Sequence, residues 1–100
     1  MNITKKFNDG VLEIALEGRL DTNTAPQLEN ELKEKLTDVD KLIFDFAKLD
    51  YISSAGLRVL LSANKGMLRE GKDPVTVINS NEIVREVFEV TGFSDILNIA

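Results

Sequence analysis

The chain has 100 residues, 43% of them hydrophobic and 29% charged, the balance of an ordinary soluble globular domain. It has no cysteine, no histidine and a formal net charge of −5. Disulfides, thiol chemistry and histidine-based catalysis are therefore excluded, any metal site would have to be all-carboxylate, and nucleic acid or anionic lipid, which need a basic face, are poor partners.

The first segment, "NITKKF", faces "VLEIALEG" (11–18) across Asn8-Asp9-Gly10, which predicts a hairpin turning through Asp-Gly. In the second run Leu12, Ile14 and Leu16 alternate with Glu13 and Glu17, the mark of a half-buried strand. "DTNT" and Pro26 then open a helix with Thr24 as its expected cap. Its stripe is Ala25, Leu28, Leu32 and Leu36, with Glu29, Glu31, Lys33, Glu34 and Lys35 toward solvent. "LIFDF" (42–46) is nearly all apolar and predicts a central strand covered on both faces. "AKLDYI" follows as a connector to a second helix over about 55–69, ended by Gly71, with Leu57, Leu60, Leu61, Met67 and Leu68 inward. "PVTVI" (74–78) is the next strand, opened by Pro74. A third helix runs from Ser80 or Asn81 to about Val90, burying Ile83, Val84, Val87 and Phe88 and closing at Gly92. "DILNIA" supplies a last short strand.

The order β-β-α-β-α-β-α-β predicts one domain over residues 1–100: a small mixed β-sheet with helices packed against it through parallel crossovers. The N-terminus carries no apolar run of the signal-peptide kind, and no stretch approaches the ~18 apolar residues of a membrane span. The expected location is cytoplasmic, with no membrane insertion.

Ser53 and Ser54 fall where the second helix begins. In parallel α/β sheets that end of the strands is where ligands and partners usually sit. A serine there is also a preferred N-cap, so one of the two hydroxyls is expected to close an open backbone N–H. A nucleophilic serine needs an adjacent base, and no Ser-His-Asp arrangement is available. A Ser-Lys pair would need Lys48, Lys65 or Lys72, which nothing in the sequence brings to the serines. "GKDP" (71–74) lacks the earlier glycine and following Ser/Thr of a phosphate loop. Asp21, Asp45 and Asp50 are the carboxylates at or near strand ends, with Asp45 expected at the edge of the core. No catalytic residue, cofactor or metal ligand is assigned.

"EGRLDTNTAPQLENEL", "LIFDFAKLDYISSAGLRVLL" and "VREVFEVTGF" together resemble the STAS domain, and more narrowly the bacterial anti-sigma factor antagonists, from about Ile3 to Ile99. Gly18-Arg19-Leu20-Asp21 matches the family's Gly-x-Leu-Asp turn, and "DFAKLDYISSAGL" its serine motif. The resemblance implies a partner that is both anti-sigma factor and serine kinase, a phosphatase that reverses it, and release of a sigma factor. Register with Gly56-Leu57 puts the phosphorylated position on Ser54. Ser53, where family members often carry Asp, is the second choice. The implied partner-binding residues are Asp21, Thr22, Asn23, Ser53, Ser54, Ala55, Gly56 and Arg58. Small Ala55 and Gly56 would let a partner's backbone approach closely. The family's typical length includes a further C-terminal helix, which is expected to be missing or short in these 100 residues. The rival readings are a stand-alone STAS subunit of a lipid-transport or stress-signalling complex, and a small hydrolase or nucleotide-binding protein.

Overall fold

The computed structural model describes residues 1–33 and 38–100. Two strands, β1 (Asn2–Asn8) and β2 (Val11–Leu20), form an antiparallel hairpin. Its turn is Asp9 at φ 50° and Gly10 at φ 79°, the positive pair that a tight two-residue hairpin requires. Three parallel strands follow: β3 (Lys41–Ile52), β4 (Thr76–Ile78) and β5 (Asn98–Ile99). The sheet order is β1-β2-β3-β4-β5. The crossover helices are α1 (Ala25–Leu32), α2 (Ser54–Arg69) and α3 (Glu82–Thr91), with one 3-10 turn at Phe93–Asp95.

Each parallel crossover steps one strand along in the same direction. Right-handed connections then put all three helices on the same face of the sheet. The buried side chains agree. Ile14, Leu16, Leu42, Phe44, Phe46 and Val77 join one core cluster with Leu28, Leu60, Met67, Val84 and Phe88 of the helices. Phe88 of α3 stacks on Phe46 at 6.4 Å between ring centroids. The other face is an open polar trough lined by Thr4, Lys6, Glu13, Glu17 and Asp45. Cover on both faces of "LIFDF" is therefore corrected: Ile43 and Asp45 point to the open side and are only half-buried. Ile43 alone hid the alternation.

β3 also runs six residues beyond Phe46, through the segment expected to be a connector. The reason is in the register. Ala15 pairs Asp45 but Glu17 pairs Lys48, and Gly18 pairs Leu49 but Arg19 pairs Tyr51. Each shift adds one residue to β3, so its inward positions slip from Leu42, Phe44 and Phe46 to Leu49 and Ile52. A strand whose phase slips twice has no period of two.

Helix ends follow their chemistry. Asn81 caps α3, accepting the Val84 N–H at 2.8 Å. Gly71, at φ 73°, closes α2: its N–H donates to the Leu68 carbonyl and the Lys72 N–H to the Met67 carbonyl. On α2, Leu57, Leu60 and Met67 are buried as expected, but Leu61 is half-buried and Leu68 is 49% exposed. On α3 the inward stripe is narrower than expected. Val84 and Phe88 are buried and Val87 is half-buried, while Ile83 is 60% exposed. A helix laid on a single strand surface buries an i, i+4 row and leaves a residue one-quarter turn away in solvent. Leu36 of the first expected stripe, and Glu34 and Lys35 of its expected solvent side, lie outside the described residues.

One buried polar side chain joins a helix to the sheet. Asn64 of α2, 1% exposed, accepts the Val75 N–H at 2.8 Å and so fixes the entry to β4. Asn64→Ala leaves that buried donor unpaired and opens a small void. Its expected cost is about 2 kcal/mol or more, read from the midpoint of urea unfolding at unchanged slope.

Candidate functional site

The C-terminal ends of β2 and β3 meet at one hydrogen bond: the Ser53 N–H donates to the Leu20 carbonyl at 2.9 Å. Asp21 follows the first of these residues and Ser54 the second. The two sequence motifs are thereby brought together at one edge of the molecule. Only Ser53 separates β3 from α2. It is extended (φ −101°, ψ 176°), and its carbonyl accepts the Leu57 N–H at 2.9 Å to start the helix.

The two hydroxyls have opposite environments. Ser53 Oγ is buried and has no hydrogen-bond partner. Ser54 occupies the first helical position and is exposed. Neither caps α2 with its side chain, which corrects the expected serine cap. The adjoining backbone is held by the strand on one side and the helix on the other, so Ser54 is presented from a rigid junction.

Gly56 has a different role from the one expected. It is buried and faces inward. A Cβ there would lie 2.7 Å from Leu20 Cγ and 2.9 Å from Ile52 Cγ1, closer than such carbons pack. The missing side chain lets α2 start directly over the ends of β2 and β3. Ala55 is half-buried and Arg58 exposed, so these two remain on the accessible side.

Asp21 organises the β2–α1 connection. Its Oδ1 accepts the N–H groups of Asn23 at 3.0 Å and Thr24 at 3.2 Å, while Oδ2 lies 3.7 Å from Arg19 Nε. Thr24, the expected helix cap, makes no such bond. Its hydroxyl accepts the Asp21 N–H and donates to the Arg19 carbonyl, both at 2.8 Å. Thr22 and Asn23 project from this turn and are exposed. Burial pushes the Asp21 carboxyl up. The N–H groups of Asn23 and Thr24, the Thr24 hydroxyl and the Arg19 guanidinium outweigh it and hold the carboxyl below its ordinary value. A lowered folded-state pKa gives stability that is complete above about pH 3.9, the ordinary aspartate value, and is lost as pH falls through the folded value. The melting temperature should fall on acidification through that range. In Asp21→Asn, whose amide does not titrate, the fall should be shallower.

Neither Asp45 nor Asp50 makes a hydrogen bond to Ser53 or Ser54. Asp45 is mid-strand in β3 rather than at a strand end, and its Oδ1 takes the Ala47 N–H and the Asn79 side-chain amide. Asp50 is exposed at the second register shift. Among the described residues no group of three or more carboxylates could hold a metal ion. No helix there is long and apolar enough to cross a membrane.

Two features escaped sequence reasoning. Arg19 lies over the Tyr51 ring at 4.4 Å, bracing the two strand ends below the serines. Only the shifted pairing of Arg19 with Tyr51 could have signalled it. An open groove of about 720 Å³ also runs between α1 and α2, reaching from Thr22 and Ala55 to Lys65.

The fold and site define a class: a small α/β domain with a one-sided sheet that presents an exposed serine at a strand–helix junction. A model of the STAS domain family matches residues 2–100, and the chain belongs to that family. It is 39% identical over 101 residues to BtrV of Bordetella bronchiseptica, which carries the name of an anti-sigma factor antagonist, covering 100% of this chain and 86% of that one. Identity to the anti-sigma-B factor antagonist of Staphylococcus aureus is 25% over 100 residues, covering 99% of this chain and 92% of that one. The crystal structure of an anti-sigma factor antagonist from Mycobacterium paratuberculosis superposes with a TM-score of 0.85 at 22% identity, over 98% of this chain and 83% of that one.

Proposed function

We propose that this domain is an anti-sigma factor antagonist of the cytoplasm, switched off by phosphorylation of Ser54. Unmodified, it binds an anti-sigma factor that is also a serine kinase, through Ser54, Ala55, Arg58 and the turn at Asp21, Thr22 and Asn23. Bound there, it frees the sigma factor. A phosphatase restores the active form. The domain supplies no catalysis; ATP and its chemistry belong to the kinase.

The names of the relatives support the antagonist role. The observation that carries the choice of residue is the contrast between hydroxyls. A kinase must reach the oxygen it phosphorylates. Ser54 is exposed on the first turn of a helix, while Ser53 Oγ is buried. Incubation with the cognate kinase and ATP should add one phosphate. Ser54→Ala should abolish labelling. Ser53→Ala should leave most of it and keep or raise the melting temperature, because a buried hydroxyl without a partner is removed. Tandem mass spectra that placed the phosphate on Ser53 would move the site. No labelling of either serine would remove the switch.

A further inference from the structure

The groove between α1 and α2 begins beside the serine junction and continues along α2 well past it. Eleven residues separate Ser54 from Lys65, which at 1.5 Å per residue is about 16 Å of helix. The floor is apolar: Ala25 and Leu32 from α1, Val59 and Ala63 from α2 are all buried and line it. The walls are charged in one sense. Lys33, Arg58 and Lys65 face a single carboxylate, Glu29, and among the described residues none of the three cations makes an ion pair. On a chain whose net charge is −5, this is a local reversal of sign.

An apolar floor between cationic walls matches one kind of occupant. A helix that lays its apolar stripe into the groove must carry acidic residues on the flanks of that stripe. We infer that the groove receives an acidic amphipathic segment of the anti-sigma partner, as a second contact beyond Ser54. The inference rests on the reading of Ser54 as the switch and adds to it. Arg58 and Ala55 belong to both contacts, so the groove is continuous with the serine surface. A phosphate on Ser54 brings about two negative charges to the groove's open end. That is roughly the groove's own excess of cations over carboxylate. Phosphorylation would then remove the attraction for an acidic segment as well as block the serine surface itself.

The test uses the whole domain and the anti-sigma factor encoded in the same genome. Lys33→Glu combined with Lys65→Glu reverses the walls far from Ser54. Lys6→Glu makes a charge change of the same sign on the open face of the sheet. By titration calorimetry the double variant should bind roughly tenfold or more weaker, the Lys6 variant within roughly threefold of the wild type, and wild-type binding should weaken steeply with added salt. Thermal melts confirm that both variants fold. A photo-crosslinking residue at Ser62, on the groove wall, should capture an acidic peptide of the partner. Double-variant affinity equal to that of the Lys6 variant, or a captured segment that is not acidic, would overturn the groove contact and leave the Ser54 switch standing. Failure of the wild type to bind the anti-sigma factor at all would overturn both.

Discussion

Phosphorylated on Ser54, the domain is expected to stay folded, to melt at or above the temperature of the unmodified chain, and to bind its partner roughly 100-fold more weakly. The first two outcomes follow from where Ser54 sits. It is the first residue of a 16-residue helix. A phosphate carries about −1.5 to −2 charges at pH 7, and the first turn of a helix favours an anion through its free N–H groups and the helix dipole. Arg58 is four residues on, exposed, with the anionic residue on the N-terminal side, the better order for such a pair. Each effect is worth only about 0.3–1 kcal/mol, so the gain in melting temperature is a few degrees. The third outcome follows from the interface. A dianion packed under a partner must be desolvated, and like charges set against it cost several kcal/mol. About 2.7 kcal/mol already makes 100-fold. Ser54→Glu should reproduce the sign of all three effects. Lost amide protection across α2 in the phosphorylated form would instead show a switch that works by unfolding.

Gly56→Ala should be the most damaging of the small substitutions near the site. The added methyl would stand 2.7 Å from Leu20 Cγ and 3.0 Å from Leu20 Cδ2, and Leu20 is wholly buried. It would also stand 2.9 Å from Ile52 Cγ1, and Ile52 is 2% exposed. Neither side chain has free space to retreat into, so the start of α2 must lift. Overpacking of this kind costs about 1–3 kcal/mol, against about 1 kcal/mol returned by alanine's better helix propensity. The expected net is a fall in melting temperature of several degrees. Because the lifted segment carries Ser54, phosphorylation by the kinase should slow even where the variant is fully folded. Gly56→Ala melting at or above the wild type would show that this junction is looser than its packing indicates.

Gly56 also marks how far the sequence could be read. The pattern "SSAGL" pointed to the candidate site, because two serines ahead of a small-residue helix start are visible in residue types alone, although the segment before them reads as a connector rather than as strand. It could not say which way each small residue faces. Gly56 is buried against Leu20 and Ile52, while Ala55 is half-buried at the edge of the core where the α1–α2 groove opens, a distinction that depends on the one-residue link between β3 and α2. The same limit applied to the serines. Both are plausible caps by type, and only the fold shows one hydroxyl buried and the other presented. Asp21 was legible as a turn residue, and the turn proved to consume much of its carboxylate through Asn23, Thr24 and Arg19.

The elements themselves were legible where their periods are clean. "VLEIALEG", the helix stripe at Leu57 and Leu60, and the Gly71 and Gly92 stops all lie where local chemistry put them. "AKLDYI" was misread because two register shifts erase its alternation, and those shifts are set by the neighbouring strand β2. The α1–α2 groove left no local trace, since its walls come from residues as far apart as Thr22 and Lys65.

The central claim is that one phosphate on Ser54 decides whether this domain holds its anti-sigma partner. The most direct measurement is titration calorimetry of that anti-sigma factor with the domain prepared in two forms, unmodified and stoichiometrically phosphorylated on Ser54. Tight binding of the unmodified form and binding roughly 100-fold weaker for the phosphorylated form is the predicted result. Equal affinity of the two forms would contradict it.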